Sequence, residues 1–254
     1  MRPVALALAA AALAASACGD AEGEATSGER SQLVVSAAAS MTEALEACAP
    51  EFADATVRMQ FAGSDELAAQ IRQGVKPDVY AAANTTLPQD LNDEGLISTP
   101  VKFATNEFVL AVPKGSSVDS LADLSRDGVK IAIGAEDVPI GAYTRETLAK
   151  LPASQERAIL DNVRSSEPDV KGIVGKLIQG AADAGFVYVT DVNAAGGELE
   201  AIDLPAELQP KVAYAAGVVQ GAKQPAAAER FVSQLVEGPC AEALEEAGFG
   251  PAPR

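Results

Sequence analysis

The sequence predicts an α/β protein made of two lobes that face each other across a cleft. Short apolar runs alternate with segments of helical length, a pattern typical of mainly parallel sheets flanked by helices on both faces. The alternation stops at Pro113-Lys114-Gly115 and then starts again. Two long apolar runs, 103–112 and 211–219, bracket the second series. This arrangement indicates a chain that crosses between two lobes twice.

We therefore assign residues 32–109 and 216–254 to the first lobe and residues 110–215 to the second. Ligands of open α/β sheets bind beyond the carboxyl ends of the strands, next to helix N-termini. Two facing lobes form a cleft at these ends, and hinge closure is the expected motion.

The elements of the first lobe follow from apolar runs and from residues that start helices. A hydroxyl side chain can cap a helix, so Ser40 or Thr42 begins the first helix, which runs to about residue 52, and Ser64 begins the second. The other expected elements are strands at 33–35, 56–61 and 78–83, a short helix that ends near 93, and closing helices near 226–236 and 241–247.

The second lobe follows the same signals. A strand is expected at 129–133, and the loop 134–141 leads from it into a helix. The remaining expected elements are helices near 154–161 and 168–179 and a strand at 184–189.

The composition excludes several classes of function. The chain has 254 residues, 48% of them apolar, and its net charge is −17. Nucleic-acid binding requires a basic surface, so this class is excluded. The sequence has no histidine, which excludes Ser-His-Asp and Cys-His catalysis and His-ligated zinc. It also has no tryptophan, which disfavours aromatic cages and base-stacking platforms.

The first residues predict export. Arg2 precedes an uncharged run, 3–19, which is rich in Ala and Leu and shorter than the roughly 20 apolar residues of a membrane span. We interpret residues 1–17 as a signal peptide. Small residues directly before Cys18 resemble the bacterial lipobox, although Ala15 stands where a lipobox usually has Leu. Lipidation of Cys18 is expected, and the alternative is ordinary cleavage at the same place that leaves a free thiol.

Residues 18–31 are small, polar and charged, and they show no apolar periodicity. We expect them to form a flexible tether. The mature protein would then be held at the outer face of the cell membrane, on the periplasmic or extracellular side, through Cys18.

Two further cysteines, Cys48 and Cys240, remain after the leader. An exported protein meets an oxidising compartment, and an even number of cysteines favours a disulfide. Such a bridge would join the first helix to the last. The alternative is two separate buried thiols, because the sequence does not give the distance between them.

Four strand-to-helix loops share a small or hydroxyl residue, or a Gly or Pro turn, where a helix begins: 37–40, 61–64, 138–141 and 168–170. Helix N-termini carry free N–H donors and a partial positive charge, and serine hydroxyls add further donors. Any one loop is explained by capping of its own helix. Four such loops, two in each lobe, favour a shared anion site.

Six segments also carry a family resemblance. They are Ala37-Ala38-Ala39-Ser40-Met41-Thr42, Phe61-Ala62-Gly63-Ser64-Asp65-Glu66-Leu67, Lys76-Pro77-Asp78-Val79-Tyr80, Val109-Leu110-Ala111-Val112-Pro113-Lys114, Asp137-Val138-Pro139-Ile140-Gly141 and Gly185-Phe186-Val187-Tyr188. In order and spacing this set resembles the molybdate-binding proteins of ABC importers, over about residues 32–250. The resemblance implies the two-lobed fold of type II periplasmic binding proteins.

The resemblance also implies a ligand set. The family holds its oxyanion with two serines, two or more backbone amides and a tyrosine hydroxyl. By motif, the corresponding groups here are the hydroxyls of Ser40, Ser64 and Tyr188 and the backbone amides of Ile140 and Val170. Ile140 stands where the family usually has Ala, but a backbone N–H survives that change.

The function that the resemblance implies is capture of molybdate, and of the similar tungstate, for a membrane permease and its ATPase. The resemblance implies no cofactor and no side chain bound directly to a metal cation. Nothing in the sequence suggests an oligomer, so a monomer is expected. The alternatives are a receptor for sulfate or another small oxyanion, a hydrolase that uses Ser40 or Ser64, and a structural or adhesive surface protein. The absence of histidine, of a G-x-S-x-G elbow and of a Ser-x-x-Lys pair at either serine disfavours the hydrolase.

Overall fold

The computed structural model describes residues 30–253, so the expected signal peptide, Cys18 and most of the expected tether lie outside the described residues. Ten strands form two five-stranded sheets in this part of the chain. The strands are β1 (Gln32–Ala38), β2 (Thr56–Ala62), β3 (Val79–Ala82), β4 (Val101–Thr105), β5 (Phe108–Pro113), β6 (Ile131–Gly134), β7 (Val163–Glu167), β8 (Ala184–Tyr188), β9 (Leu199–Asp203) and β10 (Ala213–Val218).

Nine α-helices flank the sheets in the described chain, together with three short 3-10 turns at Ala39–Met41, Ala49–Glu51 and Leu121–Ser125. Proline is the first residue of three helices, where its missing N–H would have no partner within the helix. The helices are α1 (Thr42–Cys48), α2 (Ser64–Arg72), α3 (Thr86–Asp93), α4 (Pro139–Leu148), α5 (Ala153–Asp161), α6 (Val170–Ile178), α7 (Val189–Ala194), α8 (Pro225–Val236) and α9 (Pro239–Ala247).

The first sheet has the order β2-β1-β3-β10-β4, and the second has the order β7-β6-β8-β5-β9. In the first sheet β1 pairs in parallel with β2 and β3, while β10 pairs antiparallel with β3 and β4. The second sheet repeats this scheme, with β5 as its antiparallel strand. Four of the five strands in each sheet therefore point the same way, and the expected α/β fold of two lobes is confirmed.

The register of the parallel strands places the helix-start loops at common edges. Ala38 at the end of β1 lies opposite Ala62 at the end of β2, so the loops that follow leave the same edge of the first sheet. Gly134 of β6 lies opposite Glu167 of β7 in the second sheet, with the same result.

The chain passes between the sheets at two places, residues 106–107 and residues 204–212. The long apolar run 103–112 is thus two strands, β4 and β5, which belong to different sheets and are separated by Asn106 and Glu107. The two crossings contact each other, because the Asn106 backbone N–H donates to the Val212 carbonyl at 3.4 Å and Gln209 Nε2 donates to the Phe108 carbonyl at 3.0 Å.

Two strands, β7 and β9, were not expected from the sequence. Each forms an edge of the second sheet, with one neighbouring strand. Edge strands have one side open to solvent, and both segments are largely polar or exposed. They therefore lack the apolar run that marks the inner strands.

Cys48 at the end of α1 and Cys240 in the first turn of α9 form a disulfide, with their Cα atoms 5.0 Å apart. Both cysteines are buried between packed helices of the first lobe. Among residues 30–253, the helices are all too short or too polar to cross a bilayer.

Candidate anion-binding site between the lobes

A small cavity of about 20 Å³ lies between the two sheets, far below the roughly 300–1,000 Å³ of sites for drug-sized ligands. All five residues expected to contact a ligand line it, together with the small and apolar side chains next to them in the same loops. The lining residues are Ala38, Ala39, Ser40, Ala62, Gly63, Ser64, Ala83, Val138, Pro139, Ile140, Asp169, Val170 and Tyr188. No lysine or arginine is among them.

Each lining segment follows the carboxyl end of a strand. Ser40 lies in the turn after β1, Ser64 is the first residue of α2, and Val170 is the first residue of α6. Ile140 lies in the first turn of α4, and Tyr188 ends β8. The first backbone N–H groups of a helix have no partner within it and carry a partial positive charge. The loops thus direct the positive ends of helices from both lobes into one cavity.

The two serines do not cap their own helices. No side chain caps α2, and Ser64 Oγ instead accepts a hydrogen bond from the Ala83 backbone N–H at 3.1 Å. Ser40 Oγ lies 3.0 Å from the Tyr214 hydroxyl. Both hydroxyls are buried, so capping, which explained each loop singly, does not account for their positions.

Tyr188 supplies a buried hydroxyl to the cavity. Its side chain is 1% exposed, and among residues 30–253 nothing hydrogen-bonds to its Oη. Its ring packs edge-on against Tyr143 and Tyr214, with centroid distances of 6.5 and 6.1 Å. Burial, followed by the neighbouring tyrosines and Asp191, raises the pKa of Tyr188 well above its ordinary value. The group is therefore a neutral phenol that can donate a hydrogen bond.

Among the described residues, Asp169 is the one carboxylate in the cavity lining, a contact that the sequence did not indicate. It is the N-cap of α6, and its Oδ1 accepts a hydrogen bond from the Gly172 backbone N–H at 2.9 Å. At the N-cap position the Asp169 carboxylate accepts a hydrogen bond from a backbone N–H of its own helix that would otherwise have no partner.

Two glycines permit the close approach of backbone around the cavity. A Cβ at Gly63 would lie 2.5 Å from the carbonyl oxygen of Pro168 in the opposite lobe. A Cβ at Gly141 would lie 1.8 Å from the carbonyl oxygen of Ala135. A side chain at either place would force the loops apart, so these glycines are a local signal of tight packing at the cleft.

Polar contacts join the lobes beside the cavity. Lys171 Nζ of α6 lies 2.7 Å from Glu43 Oε1 of α1 and 3.4 Å from Oδ1 of the buried Asp191. The Tyr143 hydroxyl donates to the Ala83 carbonyl at 3.3 Å. These partners are far apart in the sequence and carry no local motif, so the sequence pattern does not indicate them. The lobes are thus held against each other around the cavity.

Comparison with known proteins agrees with this geometry. Residues 33–250 match the family model described as bacterial extracellular solute-binding protein. The Molybdate-binding protein ModA of Mycobacterium tuberculosis strain H37Rv is 33% identical over 231 residues, which cover 88% of this chain and 86% of that protein.

Solved structures agree on the fold. The Azotobacter vinelandii periplasmic molybdate-binding protein superposes with a TM-score of 0.76 at 22% identity, covering 87% of this chain and all of that one. The sulfate-binding protein SubI of M. tuberculosis superposes with a TM-score of 0.74 at 16% identity, covering 87% of each chain. At such identities the likeness concerns the fold alone, and the same fold serves proteins named for different oxyanions.

Proposed function

The chain belongs to the family of bacterial extracellular solute-binding proteins, and we propose that it binds molybdate, or the similar tungstate, between its lobes. The observation that carries this proposal is the buried Tyr188 hydroxyl, which lines the cavity and has no hydrogen-bond partner among residues 30–253. A buried hydroxyl costs free energy unless it is hydrogen-bonded, so this group is suited to a ligand oxygen. The 33% identity to a molybdate-binding protein supports molybdate as that ligand.

Five neutral hydrogen-bond donors of the protein are proposed to contact the molybdate. The hydroxyls of Ser40, Ser64 and Tyr188 and the backbone N–H groups of Ile140 and Val170 surround one small cavity. Molybdate is a tetrahedral dianion without protons at neutral pH, so each of its oxygens can accept hydrogen bonds from such donors. Ile140 takes part through its backbone, so the side chain that differs from the usual Ala does not remove a donor.

Selection against phosphate follows from the same donor set. Phosphate near neutral pH often carries a proton, which needs an acceptor in a buried site. The Asp169 carboxylate is bonded to the N–H of Gly172 and is not required as a ligand. A protonated oxyanion would bury an unpaired O–H, at a cost of about 1–3 kcal/mol, unless the second carboxylate oxygen of Asp169 accepted it.

The acidic surface does not prevent the binding of a dianion. The chain carries a net charge of −17, but exposed charges beyond roughly 10 Å are largely screened by salt. The N-termini of α2, α4 and α6 act at contact distance in a site from which closed lobes exclude water. The local donors therefore dominate over the distant surface charge.

Sulfate is the alternative ligand, with the same shape and charge in a smaller anion. Donors spaced for molybdate would leave the hydrogen bonds to sulfate stretched, so the proposal predicts weaker sulfate binding. No residue is proposed as catalytic, and no cofactor is proposed.

Isothermal titration of the purified protein with molybdate, tungstate, sulfate and phosphate in matched buffer tests the proposal. Tight one-to-one binding of molybdate with weak sulfate binding is the expected result. Preference for sulfate would support the alternative, a sulfate receptor. Absence of oxyanion binding would refute the proposed function.

We further propose that the protein acts as a monomer outside the cytoplasm and delivers its ligand to an ABC permease and its ATPase. Cleavage after residue 17, lipidation of Cys18 and a tether at 18–31 would hold it at the membrane surface. Cys18→Ala should move the protein from the membrane fraction to the soluble exported fraction. Retention of that variant at the membrane would contradict the lipid anchor.

A further inference from the structure

A buried hydrogen-bond chain lies behind Ser40. The Ser40 Oγ and Tyr214 Oη atoms are 3.0 Å apart, and Asn106 Nδ2 donates to Tyr214 Oη at 3.3 Å. Asn106 Nδ2 also donates to Thr190 Oγ1 at 2.9 Å, while its Oδ1 accepts from the Glu107 backbone N–H at 2.9 Å. The Tyr214 side chain is fully buried. The chain thus connects the first crossing between the lobes to a proposed ligand residue.

The donor and the acceptor of each hydrogen bond behind Ser40 can be assigned. The Asn106 amide cannot be reversed, because its NH2 group would then face the N–H of Glu107. Its Nδ2 has only hydrogens to offer, so the Tyr214 oxygen accepts. Among residues 30–253, the Tyr214 hydrogen then has Ser40 Oγ as its one acceptor. Ser40 therefore accepts from Tyr214, and its own hydrogen is left for the cavity.

We propose that Asn106 and Tyr214 are positioning residues that hold Ser40 as a hydrogen-bond donor and thereby select fully deprotonated oxyanions. This inference rests on the proposed function. The Ser40 hydrogen that points into the cavity meets a lone pair on a fully deprotonated oxyanion, whereas the O–H of a protonated oxyanion at that place would meet a second hydrogen, which is unfavourable in a buried site.

The hydrogen-bond chain behind Ser40 lies where the polypeptide crosses between the lobes. Asn106 lies at the crossing between β4 and β5, Tyr214 belongs to β10 of the first sheet, and Thr190 belongs to α7 beside the second sheet. The amide thus contacts both lobes at once. The direction of the Ser40 hydroxyl is set by a residue of the hinge.

Asn106→Asp reverses the direction of the chain and tests the proposal. A carboxylate can only accept, so the Tyr214 O–H turns to the new carboxylate and Ser40 donates to Tyr214. Ser40 then presents a lone pair to the cavity, as a protonated oxyanion requires. Affinities of the wild type and the variant for molybdate, sulfate and hydrogen phosphate are measured by titration at a pH where all three are doubly charged.

The added negative charge weakens the binding of all three dianions alike. The ratios of their affinities therefore report whether Ser40 donates or accepts a hydrogen bond in the cavity. In Asn106→Asp, the affinities for molybdate and for sulfate should both fall by about tenfold or more relative to the affinity for hydrogen phosphate. Unchanged ratios would overturn the inference while leaving the proposed function intact. Failure of the wild type to bind any oxyanion would overturn the proposed function and the inference with it.

A second pair of variants decides the matter if Asn106→Asp does not fold. Tyr214→Phe keeps the ring and removes the hydroxyl that bonds to the Ser40 side chain. Tyr80→Phe is the matched control, because the buried Tyr80 hydroxyl donates to the backbone carbonyl of Ser64 at 2.7 Å and orients no side-chain donor. Tyr214→Phe should lower the affinity for molybdate about 3- to 10-fold more than Tyr80→Phe does. Equal losses in the two variants would overturn the inference.

Discussion

Removal of the Tyr188 hydroxyl separates ligand binding from stability. Tyr188→Phe keeps the ring and its edge-on packing against Tyr143 and Tyr214. Among the described residues, the hydroxyl has no hydrogen-bond partner, so the substitution breaks no bond within the protein. The free energy of unfolding without ligand should therefore change by less than about 1 kcal/mol.

The affinity should respond strongly to the same change. A hydrogen bond to a charged group contributes about 1.5–3 kcal/mol, and here the acceptor is a dianion in a buried cavity. Loss of that bond corresponds to roughly 10- to 150-fold weaker molybdate binding. Tyr80→Phe provides the opposite pattern, since its hydroxyl bonds to the Ser64 carbonyl and its removal should lower stability.

Chemical denaturation of the ligand-free protein and titration with molybdate measure the two quantities separately. Tyr188→Phe should show a large loss of affinity with little loss of stability. Near-unchanged affinity would remove Tyr188 from the site. A stability loss as large as that of Tyr80→Phe would show that the hydroxyl has a structural role instead.

Three further predictions concern stability and the second serine. Ser64→Ala should weaken molybdate binding by about 1–3 kcal/mol in titration and also lower the free energy of unfolding, because the Ala83 N–H loses its acceptor. Reduction of the Cys48–Cys240 bridge should lower the free energy of unfolding by roughly 2–5 kcal/mol, measured by denaturation with and without reductant, and leave the affinity nearly unchanged. Burial raises the pKa of Asp191 to about 7, so the folded state holds this proton more tightly than the unfolded state does. Stability should therefore fall as pH rises from about 4 to 7, and Asp191→Asn should flatten that dependence in denaturation curves.

Much of the fold could be predicted from the sequence because the inner strands and the helices have local signatures. The apolar strands β1, β3 and β8 and the helix that begins at Ser64 follow from periodicity and helix-start residues alone. The edge strands β7 and β9 could not be predicted, because solvent exposure permits a polar composition. The split at Asn106 and Glu107 was also missed, since apolar runs on both sides hide a change of sheet.

The candidate site divides in the same way. Ser40, Ser64, Ile140, Val170 and Tyr188 could be named because each lies in a short segment with its own motif, and the structure brings them to one cavity. Their role as ligands stays a prediction.

The sequence by itself determined the two-lobed α/β class and the segments that end at the cleft, because strand ends and helix starts are encoded within a few residues. Only the tertiary structure decided which groups stand behind those segments. Ser40 and Tyr214 are 174 residues apart, and Glu43 and Lys171 are 128 apart. Such pairs form where separate elements pack, and hydrogen-bond direction depends on distances and angles that the order of residues does not contain.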